Sequence, residues 1–252
     1  MAYEILATSK TPALIIYVLD ASTSMTQPLG DSRRIDVVSE ALSTAIQQMV
    51  FRSTKGVRVS PRYKIAMYAY SDHVYDLLDG VKTVDYVARL GIPELITMRS
   101  TDTERAFIQV EKLLQRELPY MDNCPAPLVC HMTDGEYTGK DPIEVVERIM
   151  DLKNSDGNVL VENIFISDKL LNEPINDARA WPGITHETEL INEYAKELRY
   201  MSSPIPEGYR IMMKEAGYNI EEGAVMMLPG MTKALVEMGF VMSTATPVAR
   251  SY

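Results

Sequence analysis

Three separated stretches of the chain place oxygen-bearing side chains at predicted strand-to-helix junctions. Their members are Asp20, Ser22 and Ser24 in the first stretch, Thr101 in the second and Asp134 in the third. Carboxylate, hydroxyl and water oxygens are the ligands of hard divalent cations, whereas Zn²⁺ and Cu²⁺ prefer nitrogen and sulfur. The five side chains therefore predict one site for Mg²⁺, with Mn²⁺ or Ca²⁺ as alternatives, provided that the stretches lie side by side.

The charge complement of this predicted site is weak, because only Asp20 and Asp134 are carboxylates. We expect both aspartates in exposed loops. The alternation of Asp20, Ser22 and Ser24 in a loop puts the three side chains on one side of the backbone. Mg²⁺ requires near-octahedral geometry at about 2.0–2.1 Å and retains some water, so at least one position stays exchangeable. A partner's carboxylate would bind at that position.

Each stretch also has a purely local interpretation. Ser22 and Ser24 are able to hydrogen-bond within their own turn. Thr101 and Glu104 fit a capping box at a helix start, and the Asp-Gly pair at 134 is common in turns. The occurrence of all three stretches in order, each at a predicted junction, favours the metal site.

Hydrophobic periodicity predicts the elements that position these residues. The predicted strands are Ala13–Leu19, Tyr63–Tyr70, Val74–Leu78, Pro127–Met132, Val159–Ile166 and Phe240–Ser243. The predicted helices are Ser32–Arg52, Thr83–Leu90, Asp102–Glu117, Asp141–Lys153, Glu187–Tyr200, Glu207–Ala216 and Thr232–Met238. This alternation predicts an α/β, doubly wound, Rossmann-like fold with a mostly parallel central sheet, one antiparallel edge strand at 74–78 and helices on both faces. Ligands bind such sheets beyond the carboxyl ends of the strands, where the strand order reverses.

Composition limits the function classes. The 252 residues, 46% of them hydrophobic, suffice for one sizeable core. A net charge of −10 opposes binding to nucleic acid or to an anionic membrane. The apolar run at 13–19 is too short to span a bilayer and follows no basic segment, so no signal peptide is expected. Two cysteines, Cys124 and Cys130, are too few for a disulfide framework, which favours a reducing, cytoplasmic location.

The site residues resemble the metal-ion-dependent adhesion site (MIDAS) of the von Willebrand factor type A (vWA) domain. The family's Asp-x-Ser-x-Ser matches Asp20, Ser22 and Ser24, its isolated threonine matches Thr101, and its Thr-Asp-Gly matches Thr133, Asp134 and Gly135. The similarity covers residues 10–245, interpreted as one vWA domain with a core of about 10–200 and a C-terminal helical and strand extension of about 201–245. It implies a sheet of five parallel strands and one antiparallel edge strand.

The resemblance implies a non-enzymatic module that binds an acidic side chain of a protein partner through the metal. Ser22, Ser24 and Thr101 would contact the ion, and the two aspartates would often act through water. Extracellular members of the family are adhesive. The expected lack of a signal peptide points instead to the intracellular bacterial members, which often work beside ATPases, kinases or phosphatases in multi-protein systems.

Two departures from the family pattern are visible. Many members have glycine between the two serines and before the threonine, where this chain has Thr23, Arg99 and Ser100. Side chains at these positions narrow the freedom of the backbone and place a cation beside the site. We expect them to alter metal affinity or ligand access.

Three other functions stay open at the level of sequence. The main alternative is a Mg²⁺-dependent phosphohydrolase of Rossmann-like fold with Asp20 as nucleophile, although Ser22 occupies the place where enzymes of the haloacid dehalogenase type carry a second aspartate. The segment Gly135–Lys140 superficially matches a phosphate-binding loop, but its glycine spacing is one residue short and Asp141 replaces a Ser or Thr. A scaffold whose site holds no metal is the third.

Overall fold

Strands and helices alternate along the computed structural model, which describes residues 3–55, 57–135, 137–167 and 170–248. In chain order the strands are β1 (Ala13–Asp20), β2 (Pro28–Leu29), β3 (Ser32–Arg33), β4 (Thr54–Lys55), β5 (Arg58–Val59), β6 (Tyr63–Tyr70), β7 (Val74–Asp76), β8 (Lys82–Thr83), β9 (Leu128–Thr133), β10 (Leu160–Phe165) and β11 (Met227–Pro229). The helices are α1 (Arg34–Ser53), α2 (Val84–Leu90), α3 (Thr103–Glu117), α4 (Ile143–Asp151), α5 (Glu193–Tyr200), α6 (Glu207–Glu215) and α7 (Lys233–Ser243), with 3-10 turns at Thr23–Thr26 and Leu118–Tyr120. This alternation confirms the predicted α/β class.

The main sheet has the strand order β11-β10-β9-β1-β6-β7, and β8 also pairs with β6. The first five strands of this order are mutually parallel, whereas β7 and β8 run antiparallel to β6. From β1 the chain builds β6 on one side and later returns to add β9 on the other, so the strand order reverses between β1 and β9. The carboxyl ends of these two neighbours lie where such sheets bind ligands.

The core lies on both faces of this sheet. Every residue of β1, β9 and β10 is buried, although successive side chains of a strand point to opposite faces. Helix α1 packs against α2 and α7, and α3 packs against α4, so the helices form two groups that cover the sheet. Across the described ranges, no helix combines the length and the apolarity that a bilayer-crossing segment requires.

Two predicted helix starts are displaced. Helix α1 begins at Arg34, and Ser32, predicted as its N-cap, pairs with Leu29 in the small β2–β3 hairpin. Helix α5 begins at Glu193, where the side chain of Asn192 accepts hydrogen bonds from the first free backbone N–H groups. The prediction of a helix from residue 187 is therefore wrong over its first turns.

The C-terminal prediction also needs correction. The segment Phe240–Ser243 belongs to α7 and is not a strand. The strand that completes the parallel sheet is β11, a three-residue segment that the sequence did not indicate. Gly239 explains the close docking of α7, because a Cβ atom there would lie 2.6 Å from Cδ1 of Ile164.

His131 links three strands inside the core and is not available to bind a metal. Its Nδ1–H donates to Oδ1 of Asn163 (2.7 Å), so its Nε2 accepts the hydroxyl proton of Tyr70 (2.8 Å). Burial lowers the pKa of His131 to about 4, which keeps the ring neutral. The residue is a structural element of the sheet.

Glu162 is the least favourable group in the core. It is fully buried in β10, and neither carboxyl oxygen has a hydrogen-bond partner of normal geometry within the described residues. Burial raises its pKa well above the ordinary value, and the thiol of Cys130 is close enough to interact with it. The protonated acid is therefore the form that the core accommodates.

We expect Glu162 to make the protein less stable as the pH rises. Above its ordinary pKa of about 4.3, the unfolded chain loses the proton that the native state keeps, so the free energy of unfolding falls by about 1.4 kcal/mol per pH unit until the folded-state pKa is reached. Glu162→Gln should reduce the fall of the unfolding free energy with pH by this amount in urea unfolding between pH 5 and 8. Glu187→Gln, an exposed control, should keep it. Equal slopes in both variants would contradict the assignment.

Candidate metal centre

Asp20 anchors the first loop from a fully buried position at the end of β1. Its Oδ1 accepts the backbone N–H of Ser22 (2.8 Å), and its Oδ2 accepts the hydroxyl of Thr133 at the end of β9 (2.8 Å). Burial raises the pKa of Asp20 to about 6. The expectation of an exposed loop position is thus wrong, because this carboxylate ties together two strand ends.

The hydroxyls of Ser22 and Ser24 contribute the next two oxygens of the candidate site. Ser22 is extended, whereas Ser24 lies within the 3-10 turn, so the regular alternation expected for this loop is wrong. The two Oγ atoms nevertheless lie 2.9 Å apart, and Oγ of Ser24 donates to Oδ1 of Asp134 (2.7 Å). Side chains separated by 110 positions are therefore joined in one chain of hydrogen bonds.

Thr101 lines the same cavity from the loop that connects α2 to α3, so the prediction that this stretch follows a strand is wrong. The helix is capped by Asp102, whose carboxylate accepts the backbone N–H of Arg105, so the capping box at Thr101 is not formed. Backbone groups hold Thr101 in place, because its carbonyl accepts the N–H of Thr138 (2.9 Å). Its hydroxyl is therefore not used as the helix cap.

Thr23, which replaces a family glycine, connects two of the loops. Its hydroxyl donates to the carbonyl of Met98 (2.9 Å), and the N–H of Met98 donates to the carbonyl of Ala21 (2.8 Å). A glycine at position 23 would leave only the second of these bonds, which joins Met98 to Ala21. The side chain thus restrains the loop that carries Thr101.

The site also contains a cation that the sequence did not indicate. Nη1 of Arg34 donates to Oδ2 of Asp134 at 2.6 Å. The Asp134 side chain is fully buried, so the expectation of an exposed position is wrong for this aspartate too, and the side chain of Arg34 is 21% exposed. Arg34 is the first residue of α1, where a positive charge opposes the helix dipole. This unfavourable placement is a signal in the sequence that could have revealed a role for Arg34 outside the helix.

These side chains surround an open cavity of about 540 Å³ at the carboxyl ends of the strands. Its lining consists of Ser22, Thr23, Ser24, Arg34, Arg99, Thr101, Asp134, Gly135, Thr138, Phe165, Ser167, Asn192 and Tyr194. Asp20 lies below this surface. Four of the five predicted ligands therefore face one cavity, and the fifth supports them.

The donor set fits a small hard cation. Cis ligands at about 2.1 Å from an octahedral ion lie about 3.0 Å apart, close to the 2.9 and 2.7 Å that separate Ser22, Ser24 and Asp134. Within the part of the chain that the structure describes, no three His, Cys, Asp or Glu side chains form a group that could hold a metal ion. The candidate donors at the cavity are the hydroxyls of Ser22, Ser24 and Thr101 and the carboxylate of Asp134. Oη of Tyr194 is buried without a hydrogen-bond partner among those residues and suits a water ligand.

No protein-family model and no curated protein matches the chain by sequence. Solved structures do resemble it. The D319A mutant of the PilB minor pilin from Streptococcus sanguinis aligns with a TM-score of 0.55 and 11% identity, over 91% of this chain and 60% of the pilin. BatB from Bacteroides thetaiotaomicron aligns with a TM-score of 0.48 and 14% identity, over 84% of this chain and 91% of BatB. The SpRpn10 VWA domain aligns with a TM-score of 0.43 and 13% identity, over 62% of this chain and 76% of that domain.

The fold is that of a vWA domain. Five parallel strands, an antiparallel edge strand and a cavity at the point where strand order reverses are the arrangement that the motifs implied. At 11–14% identity, the likeness to solved structures concerns the fold. The metal-binding role of the five residues stays a prediction, supported by the geometry of the side chains.

We expect Thr23→Val to loosen the loop at 98–101 without unfolding the domain. The substitution removes one exposed hydrogen bond to Met98, which corresponds to about 0.5–1.5 kcal/mol of local stability. Amide hydrogen exchange in this loop should accelerate, whereas exchange in β1 should not change. Thr26→Val is the matched control, because its hydroxyl bonds only within the same turn, to the carbonyl of Thr23. Equal acceleration in both variants would contradict the proposed restraint.

Proposed function

We propose that this vWA domain is a non-enzymatic protein-interaction module that binds an acidic side chain of a protein partner through Mg²⁺, with Mn²⁺ or Ca²⁺ as alternatives. The residues that would hold the ion are Asp20, Ser22, Ser24, Thr101 and Asp134. The observation that carries the proposal is the hydrogen-bonded row of oxygens from Ser22, Ser24 and Asp134, which lines one cavity together with Thr101. The two separations along this row are 2.9 and 2.7 Å.

Charge favours an acidic guest. The two negative charges of Asp20 and Asp134 and the positive charge of Arg34 leave a net charge of −1 at the site. A bound dication would make this net charge positive. Arg99, which is exposed, adds a second cation at the cavity. The whole chain carries a net charge of −10, so this local positive region would distinguish the binding site from the surrounding surface.

The position of Asp20 favours binding over phosphoryl transfer. A nucleophilic carboxylate must reach a substrate, but Asp20 is fully buried and both of its oxygens accept hydrogen bonds from the protein. Its environment suits a residue that orients the loop. The same argument applies to catalysis with Mg²⁺ at this site, because the candidate nucleophile lies below the cavity lining.

We further propose a cytoplasmic location and a partner within a bacterial multi-protein system. Both cysteines, Cys124 and Cys130, are free and buried, as suits a reducing compartment. The family resemblance supports a partner associated with an ATPase, a kinase or a phosphatase. The negative net charge argues against nucleic acid and anionic membranes as partners.

Millimolar Mg²⁺ should raise the melting temperature of the protein, because a ligand of the native state stabilises it. At ten times the dissociation constant the gain is about 1.4 kcal/mol, or about 3–6 °C for a domain of this size. Asp20→Asn and Asp134→Asn should abolish this shift while the domain still folds in EDTA. Asp36→Asn removes an exposed carboxylate on α1 and should leave the shift intact. A normal shift in Asp134→Asn would refute the site.

Partner binding should require both the ion and an acidic side chain. The partner is captured on immobilised protein in Mg²⁺, eluted with EDTA and compared with capture on Asp134→Asn. Acidic residues of the captured partner are then replaced singly by Asn or Gln. We expect one replacement to weaken binding at least tenfold in calorimetric titration. Undiminished affinity in EDTA would count against the proposed function.

A further inference from the structure

We infer that Arg34 competes with the metal for Asp134, so that this vWA domain binds Mg²⁺ more weakly than its oxygen donors alone would allow. The inference rests on the proposed metal site and assigns a role to a residue outside the ligand set. Its basis is one ion pair that occupies an oxygen of a site carboxylate.

Both carboxylate oxygens of Asp134 accept a hydrogen bond from another side chain of the protein. Oδ1 accepts the hydroxyl of Ser24 (2.7 Å), and Oδ2 accepts Nη1 of Arg34 (2.6 Å). A carboxylate whose side chain is completely buried is strongly unfavourable unless a counter-charge accompanies it. Arg34 supplies that positive charge. A bound dication would otherwise neutralise the carboxylate.

The surroundings of Arg34 indicate that its position serves Asp134. Its charge lies at the N-terminus of α1, where the helix dipole disfavours a cation, and its buried Nε has no hydrogen-bond partner among the described residues. The neighbouring Arg33 behaves differently, because its guanidinium forms two hydrogen bonds with Asp36 on the surface. The two adjacent arginines therefore provide a matched pair for substitution.

An incoming dication meets this fixed positive charge. Coulomb repulsion between a guanidinium and a divalent ion that share one carboxylate is poorly screened in a partly buried site. Removal of the guanidinium should therefore tighten Mg²⁺ binding. The domain would then rely on the ion, and no longer on the arginine, to neutralise Asp134.

The test is calorimetric titration of Mg²⁺ into chelator-treated protein at fixed ionic strength. Arg34→Gln should bind Mg²⁺ about tenfold more tightly than the wild type. Arg33→Gln makes the same change in net charge and should alter the affinity by less than twofold. Arg34→Lys keeps the charge and should remain within threefold of the wild type.

Melting temperatures provide a readout that a purely structural ion pair would not move. In EDTA, Arg34→Gln should melt lower than the wild type because Asp134 loses its counter-charge. Saturating Mg²⁺ should restore most of this loss, so its stabilising shift should exceed that of the wild type. A structural pair would instead lower both melting temperatures equally.

Should Arg34→Gln fail to fold, the side-chain Nε–H NMR signal of Arg34 in the wild type must shift during Mg²⁺ titration.

The outcomes separate the inference from the proposed function. Equal or weaker Mg²⁺ binding by Arg34→Gln, alongside normal binding by the wild type, overturns the competition and leaves the metal site standing. An Arg34 signal that stays constant while Mg²⁺ binds does the same. If neither the wild type nor any Arg34 or Arg33 variant binds Mg²⁺, the metal site itself is refuted, and the competition with it.

Discussion

The buried carboxylate of Asp20 is the constraint on which the site depends. It sits at the end of the central strand, where β1 and β9 are neighbours, and uses one oxygen for Ser22 and the other for Thr133. Burial raises its pKa to about 6, so the ionised form is held at the expense of folding free energy. This unfavourable contribution to the folding free energy accompanies a fixed geometry, because both strand ends must point toward the same carboxylate.

The long buried strands were predictable from the sequence, and the short peripheral elements were not. β1, β6, β9 and β10 each fall within one residue of the predicted bounds at either end, because continuous apolar runs covered on both faces leave little choice of structure. β11 has only three residues. The region before α5 contains a turn in which the hydroxyl of Thr188 binds the N–H of Thr185, and this local bond competes with helix formation.

The candidate site likewise has a part that was predictable from the sequence and a part that was not. Its oxygen donors were visible because each stretch adjoins a strong element, which is β1 for Asp20, Ser22 and Ser24, α3 for Thr101 and β9 for Asp134. The ion pair between Arg34 and Asp134 spans 100 positions and was missed, since its one trace in the sequence is an arginine in an unfavourable helical position. Thr23 was recognised as a departure from glycine, but its bond to Met98 depends on how two loops meet in space. Pairings of this kind follow from tertiary structure, which periodicity does not encode.

The pairing of Arg34 with Asp134 has a consequence for how such a domain would exchange partners. Ion and guest would be thermodynamically coupled: an acidic group added by a partner offsets the arginine's repulsion, so each would raise the other's affinity by the same factor. Complexes would then assemble and dissociate as units, and free magnesium would act as a reversible control on association. A site that kept its ion permanently bound would not respond to the concentration of free magnesium.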